Sequence, residues 1–235
     1  MTRPDARLLW RAWWPGLVVA LVGVVGYLVM LDNVREQEDI WRIDEPLLEW
    51  FAAHRVSWLT DLMVLVSWIF GPVVLPVLVA VGGLLWGWRT RQWFNVFVVA
   101  GAVAFAGLLS LLLKLSVGRP RPSEEFWLEP GGTNTASFPS GHTLCTATLV
   151  MVTGYMAWRT ERSMRVFVWW FTASVLLTVT VALSRLYLGY HFLTDVIAGA
   201  FAALFVLGLV IGVVRTHDLR LGLPAGGKAV LQNGV

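Results

Sequence analysis

Charge is scarce in this chain. Of its 235 residues only 14% are Asp, Glu, Lys or Arg, where an ordinary soluble domain carries about 25%. Hydrophobic residues make up 57% and the mean hydropathy is +0.68, which excludes a disordered chain and a soluble enzyme and leaves an integral membrane protein. Cysteine is almost absent. The single Cys145 excludes an intrachain disulfide, says nothing of redox compartment, and reads as a small core residue in apolar surroundings. No metal-ligand motif and no repeat of fixed period is visible, so no metal and no cofactor is expected. The formal charge is +3, but the basic residues are scattered at the ends of apolar runs, which excludes a nucleic-acid-binding face. A cleaved leader is not expected either. The apolar run 14–31 is long enough to span and lacks a small-residue cleavage site.

What the chain does have is long hydrophobic runs. Six of them, near 14–31, 59–86, 93–115, 140–158, 166–183 and 192–214, predict an all-α polytopic bundle of six transmembrane helices forming a single domain over 1–235. Gly71-Pro72 falls inside the second run and predicts a kink. Between the first two runs lie seven acids, Asp32, Glu36, Glu38, Asp39, Asp44, Glu45 and Glu49. Residues 46–58 there have apolar side chains at helical spacing. They read as a short amphipathic helix on the membrane surface or, equally, as an ordinary packed loop helix. A polar loop fills 116–138, and the tail from 215 reads as flexible. Of the 18 basic residues, 11 fall in the N-terminal segment, the 89–91 and 159–165 turns and the tail. The positive-inside rule then predicts a cell-membrane protein with both termini cytoplasmic, and with 32–58, 116–138 and 184–191 on the other side.

Three polar clusters fall at the outer ends of membrane runs: Lys114-Leu-Ser-Val-Gly-Arg119-Pro-Arg121-Pro122, Phe138-Pro139-Ser140-Gly141-His142-Thr143, and the stretch from Ser184 to Asp195. Ionisable groups at a membrane boundary are costly and mark function. Lys114, Arg121 and Arg185 make a positive field with no matching acid in their motifs, which suits an anion with several oxygens such as phosphate. Ser140 and Gly141 stand where a helix should begin. Free amides point outward there, and a residue without a side chain lets the backbone approach a ligand. If Gly189 breaks one helix and another starts near His191, then His191 and Asp195 share a face, and the carboxylate orients the imidazole. With His142 this puts two histidines at one phosphate site. One can attack phosphorus and the other can protonate the leaving oxygen, which makes a double-displacement phosphatase without a metal.

Lys114-x6-Arg121-Pro122, Pro139-Ser-Gly-His142 and Ser184-Arg185-x5-His191-x3-Asp195 resemble, in order and spacing, the three signature motifs of the type 2 phosphatidic acid phosphatase superfamily, the lipid phosphate phosphatases. The motifs cover 114–195, and the six-run layout extends the likeness over most of the chain, leaving the first 58 residues and the tail without a motif. The resemblance implies that His191 is the nucleophile that becomes phosphohistidine, that Asp195 orients it, and that His142 is the general acid and then the base. It implies that Lys114, Arg121, Ser140, the Gly141 amide and Arg185 bind the phosphoryl oxygens. Arg119, in the variable part of the first motif, either helps with a second phosphate or, the favoured reading, solvates the loop.

The expected partner is a lipid phosphate in the membrane: polyprenyl pyrophosphate such as undecaprenyl pyrophosphate, phosphatidylglycerophosphate, phosphatidic acid or diacylglycerol pyrophosphate. The alternative is a non-catalytic lipid-binding or transport protein on the same fold. The superfamily's vanadate-dependent haloperoxidases resemble soluble helical proteins, and six spans argue against that reading. Taken singly, His54 and His217 read as surface and tail residues, Tyr187 and Tyr190 as interfacial packing, and Glu124, Glu125 and Glu129 as loop solvation.

Overall fold

The computed structural model describes residues 6–128 and 135–222. Arg3, Glu129, Lys228 and the tail beyond 222 lie outside the described residues. Within them the chain is all-helical: α1 (Ala6–Glu36), α2 (Asp44–Ala53), α3 (Ser57–Ile69), α4 (Val74–Thr90), α5 (Trp93–Val117), α6 (Gly141–Glu161), α7 (Met164–Tyr187) and α8 (Leu193–Arg220), with short 3₁₀ turns at Asp39–Ile43 and Glu124–Phe126. Four helices, α1, α5, α7 and α8, are long and apolar enough to cross a membrane. The pair α3 and α4 adds a fifth if counted as one span, bent by 58° at its break. The expected count of six is therefore not met by length and composition. The exception is α6, which has 21 residues but carries the buried threonines Thr143, Thr146 and Thr148. A helix enclosed by its neighbours faces no lipid and need not be apolar all round.

The kink expected at Gly71-Pro72 is a full interruption. Residues 70–73 are outside both helices, as a proline that can neither donate to the helical ladder nor clear the preceding turn requires. The helix expected from 46 begins at Asp44 and buries Asp44 and Leu48 while Trp50 stays exposed. The last helix runs to Arg220 rather than ending near 214, so the expected tail begins later. His217 accordingly belongs to a helix, its ring stacked 3.7 Å from Phe94.

Two close packings fix the frame. Helices α1 and α8 meet through glycines: a Cβ on Gly16 would sit 2.3 Å from the Gly208 carbonyl oxygen, and one on Gly23 would sit 2.4 Å from the Phe205 nitrogen. Such seams let backbones approach where no hydrophobic force separates helix from lipid. At Gly199 a Cβ would lie 2.7 Å from the Ser140 carbonyl, so α8 also presses on the start of α6. The Arg159 guanidinium pairs with Asp218, and Arg215 donates to the Arg11 carbonyl (3.1 Å). These contacts gather the ends of α6 and α8 and the start of α1 at one end of the bundle. The three polar clusters lie at the other.

Candidate active site

Three local events bring the clusters together. Helix α5 stops just past Lys114 because Gly118 adopts a left-handed conformation (φ 65°) and donates to the Lys114 carbonyl at 2.9 Å. Helix α6 opens at Gly141 after Ser140. Between α7 and α8 the chain reverses at Gly189, whose φ of 81° and close approach (a Cβ would meet the Phe126 carbonyl oxygen at 2.0 Å) admit no side chain. That reversal aims His191 back at the starts of α6 and α8.

His191 lies two residues before the last helix, close to the start expected near 192. Phe192 is the N-cap of α8 and Asp195 is the third helical residue. The Asp195 carboxylate reaches back, accepting the Phe192 amide at 2.9 Å, and the same Oδ2 meets His191 Nδ1 at 3.1 Å. The expected pair therefore forms through helix capping. With the carboxylate as acceptor, Nδ1 carries the proton and Nε2 keeps its lone pair. Burial drives the His191 imidazole down to about 3, against the Asp195 carboxylate, which favours the charged ring. The ring is thus a free base at neutral pH.

The predicted residues do not all face one space. A cavity of about 610 Å³ is lined at its polar end by Lys114, Arg121, Gly141, His142 and His191. Ser140, Arg185 and Asp195 stand behind that wall and are buried. Ser140 spends its amide on the Asp195 carbonyl (2.9 Å), and its hydroxyl accepts from Thr143 at 3.2 Å. Lys114 donates to the carbonyls of Ala136 and Ser137. Arg121 donates to the Thr135 carbonyl (2.8 Å) and hydroxyl (3.0 Å) and to the Tyr190 carbonyl (3.0 Å). Burial lowers Arg121, with Asp195 and Tyr190 acting the other way. Arg185 lies over the Tyr190 ring at 4.6 Å, donates to Ser67 Oγ, and leaves Nε buried without a partner. Among the described residues no carboxylate pairs with Lys114, Arg121 or Arg185. Arg185 is buried and Lys114 and Arg121 are half-buried, and a cationic shell without a carboxylate partner is what an anionic group would satisfy.

The sequence left several contributors unseen. Ser137 is fully buried; its hydroxyl bonds Asp195 Oδ2 and lies 3.3 Å from His191 Nδ1. Ser67, far away in the chain, holds Arg185. Arg119 neither solvates the loop nor lines the cavity. Its guanidinium is buried, donating to Asp195 Oδ1 (2.7 Å), Thr194 Oγ1 (2.7 Å) and Asp44 Oδ2 (2.8 Å). No local signal marked Ser137 or Ser67, whereas Gly-Arg119-Pro beside a motif was one for Arg119. Tyr187, expected as interfacial packing, is buried and ties α7 to the start of α3, its hydroxyl accepting the Val56 amide at 2.9 Å. Cys145 packs against the main core, as expected, and also lines the cavity.

Away from the cations the cavity is apolar. It runs between α4 and α5 past Leu75, Val79, Val103 and Leu108, and the α3–α4 break at Phe70, Gly71 and Pro72 forms part of its lining. A Cβ on Gly71 would come within 3.7 Å of His142 Nε2, so the break stands directly beside that imidazole.

A profile of the PAP2 superfamily matches residues 95–218. Phosphatidylglycerophosphatase B of Bacillus subtilis (strain 168) is 26% identical over 175 residues, covering 72% of this chain and 82% of the relative. The crystal structure of a transmembrane PAP2-type phosphatidylglycerolphosphate phosphatase from Bacillus subtilis superposes with a TM-score of 0.72 at 22% identity, over 84% of this chain and 96% of that one. Aquifex aeolicus LpxE superposes with a TM-score of 0.52 at 21% identity, over 73% and 93%. At these identities the two structures speak for the fold.

Proposed function

The chain belongs to the PAP2 superfamily and is a membrane lipid phosphatase, and we propose that it hydrolyses a phosphate or pyrophosphate ester of a membrane lipid through a phosphohistidine on His191. The observation that carries this reading is the cavity, which has two histidines and unpaired cations at one end and a trough of aliphatic side chains at the other. It has the chemistry of a lipid phosphate, with the headgroup at the cations and the tail between α4 and α5. Phosphatidylglycerophosphate stands first among the candidate substrates because the 26% identical relative bears that activity in its name. Polyprenyl pyrophosphate, phosphatidic acid and diacylglycerol pyrophosphate share the same chemistry.

In this mechanism His191 Nε2 attacks phosphorus, and the bond from phosphorus to the leaving oxygen breaks as His142 gives that oxygen a proton. The Nδ1–H stays on the ring, where Asp195 stabilises the positive charge that develops. Water then attacks phosphorus, the P–N bond breaks, and His142 recovers a proton from the water. Lys114, Arg121 and the Gly141 amide hold the phosphoryl oxygens directly. Arg185 and Ser140 support them from behind, Arg185 through its charge. Basic residues gathered at the opposite end of the bundle (Arg11, Arg89, Arg159, Arg215) support cytoplasmic termini and a site on the outer face of the membrane.

The test is phosphate release by purified protein in detergent from a panel of these lipids, with EDTA present throughout. Turnover of at least one lipid, undiminished by chelator, is expected; no turnover by folded protein, or loss of turnover with EDTA, would count against the reading. His142→Ala should lower turnover of an alkyl phosphate about 10²–10⁴-fold. With p-nitrophenyl phosphate, whose leaving group needs no proton, the first step should survive and only dephosphorylation should slow. A burst of nitrophenol would report this, and a burst slowed as much as alkyl phosphate turnover would deny His142 the acid role.

A further inference from the structure

The acid-rich segment between α1 and α3 carries no motif, yet one of its acids is built into the site. Asp44 opens α2 and its side chain is 1% exposed. Its Oδ1 accepts the Thr194 amide at 3.0 Å, and its Oδ2 accepts the Thr194 hydroxyl at 2.6 Å and Arg119 Nη2 at 2.8 Å. Arg119 in turn holds Asp195 Oδ1, the carboxylate oxygen that His191 does not use. The guanidinium also lies over the Phe192 ring at 4.1 Å, and its own backbone carbonyl accepts the Ser137 amide at 2.8 Å. A continuous path therefore runs from His191 through Asp195 and Arg119 to Asp44, closed on itself by Thr194.

We propose that Asp44 is a positioning residue of the nucleophile, acting through Arg119 on Asp195. A guanidinium between two carboxylates divides its donors between them in a fixed fork. Alone with Asp195 it would form an undivided ion pair, turn that carboxylate toward itself, and draw off the negative charge that the His191 ring needs as it becomes cationic. Asp44 takes one edge of the guanidinium, fixes its plane, and leaves Asp195 Oδ2 aimed at Nδ1. The first turn of the last helix thus depends on a residue about 150 positions earlier in the chain. Asp44 lines no part of the cavity, so it should act on the rate of attack and not on phosphate binding.

This inference rests on His191 as nucleophile, and the experiment separates the two. Asp44→Asn, Arg119→Lys and His191→Ala are purified as full chains, and kcat and KM are measured on a lipid phosphate that the wild type hydrolyses. Inorganic phosphate serves as competitive inhibitor. Asp44→Asn keeps an acceptor for Thr194, and Arg119→Lys keeps a charge beside Asp195 but cannot span both carboxylates. Each is expected to lower kcat about 10- to 100-fold while KM and the inhibition constant for phosphate stay within about twofold. Wild-type kcat in folded Asp44→Asn would overturn the inference. So would a matching loss of phosphate inhibition, which would mean that Asp44 supports the whole site. If Asp44→Asn does not fold, Arg119→Lys decides the matter by the same criteria. Turnover by His191→Ala would instead overturn the nucleophile reading beneath it.

Discussion

His191→Ala is expected to lower phosphate release by roughly 10⁴-fold or more, because a nucleophile acting as one unit with its base and orienting acid has no partial substitute. Nothing else in the cavity can take over: His142 stands beside the α3–α4 break, and Cys145 lies one turn further along α6. The residual rate measures what the cations alone contribute by holding the phosphate. Alkaline quenching after addition of ³²P-labelled substrate should trap an acid-labile, alkali-stable phosphoenzyme in wild type and none in the variant. A labelled variant would place the covalent step elsewhere. The pH dependence has a defined sign. The His191 ring is charged only below about 3, so mild acidification removes no nucleophile, and any loss of kcat/KM on that side belongs to another group.

Arg119→Met is expected to destabilise the protein by about 3–5 kcal/mol and to abolish turnover. The guanidinium bridges the buried carboxylates of Asp44 and Asp195. Methionine fills its volume but leaves two carboxylates facing each other out of reach of water. Adding Asp44→Asn to Arg119→Met should recover part of the stability, by removing one of those charges, and none of the turnover. Thermal unfolding in detergent reads both effects. A wild-type midpoint for Arg119→Met would show that the ion triad carries no net stabilisation.

Most of the helices were legible because hydropathy and turn chemistry agree along the chain: Gly118, Gly189 and Gly71-Pro72 interrupt runs that are otherwise uniform. The helix ends were placed too far inward, since polar residues such as Arg11, Asp32 and Asp218 continue helices beyond the apolar stretch. The polar α6 was over-read as a span of the same kind as its neighbours, for hydropathy does not tell a helix facing lipid from one enclosed by protein. At the site, the motif residues that face the cavity were readable because their chemistry is local: Lys114 at a helix end, Gly141 at a helix start, and His191 four residues from its carboxylate. Asp44, Ser67 and Ser137 were not, because each acts through a partner that only the tertiary structure supplies. The sequence also made Ser140 and Arg185 equal to Lys114 and Arg121. Burial separates them, since a shared motif does not say which side of the wall a side chain takes.

The glycine seam between α1 and α8 gives the molecule a division of labour. The helix that begins beside His191 and contributes Asp195 is locked to α1 backbone to backbone, while α4, which supplies Leu75 and Val79 to the cavity wall, packs chiefly on α5. The two functions meet on α5, which carries Lys114 at its end and Val103 and Leu108 along the cavity and packs in one core with α6 and α8, whereas α4 contributes to the wall alone. On the function proposed above, substitutions at Leu75 and Val79 of α4 are expected to retune which hydrocarbon is accepted while Lys114, His142 and His191 keep their places. A lineage, or a designer, could diversify the substrates of this scaffold by rewriting one wall.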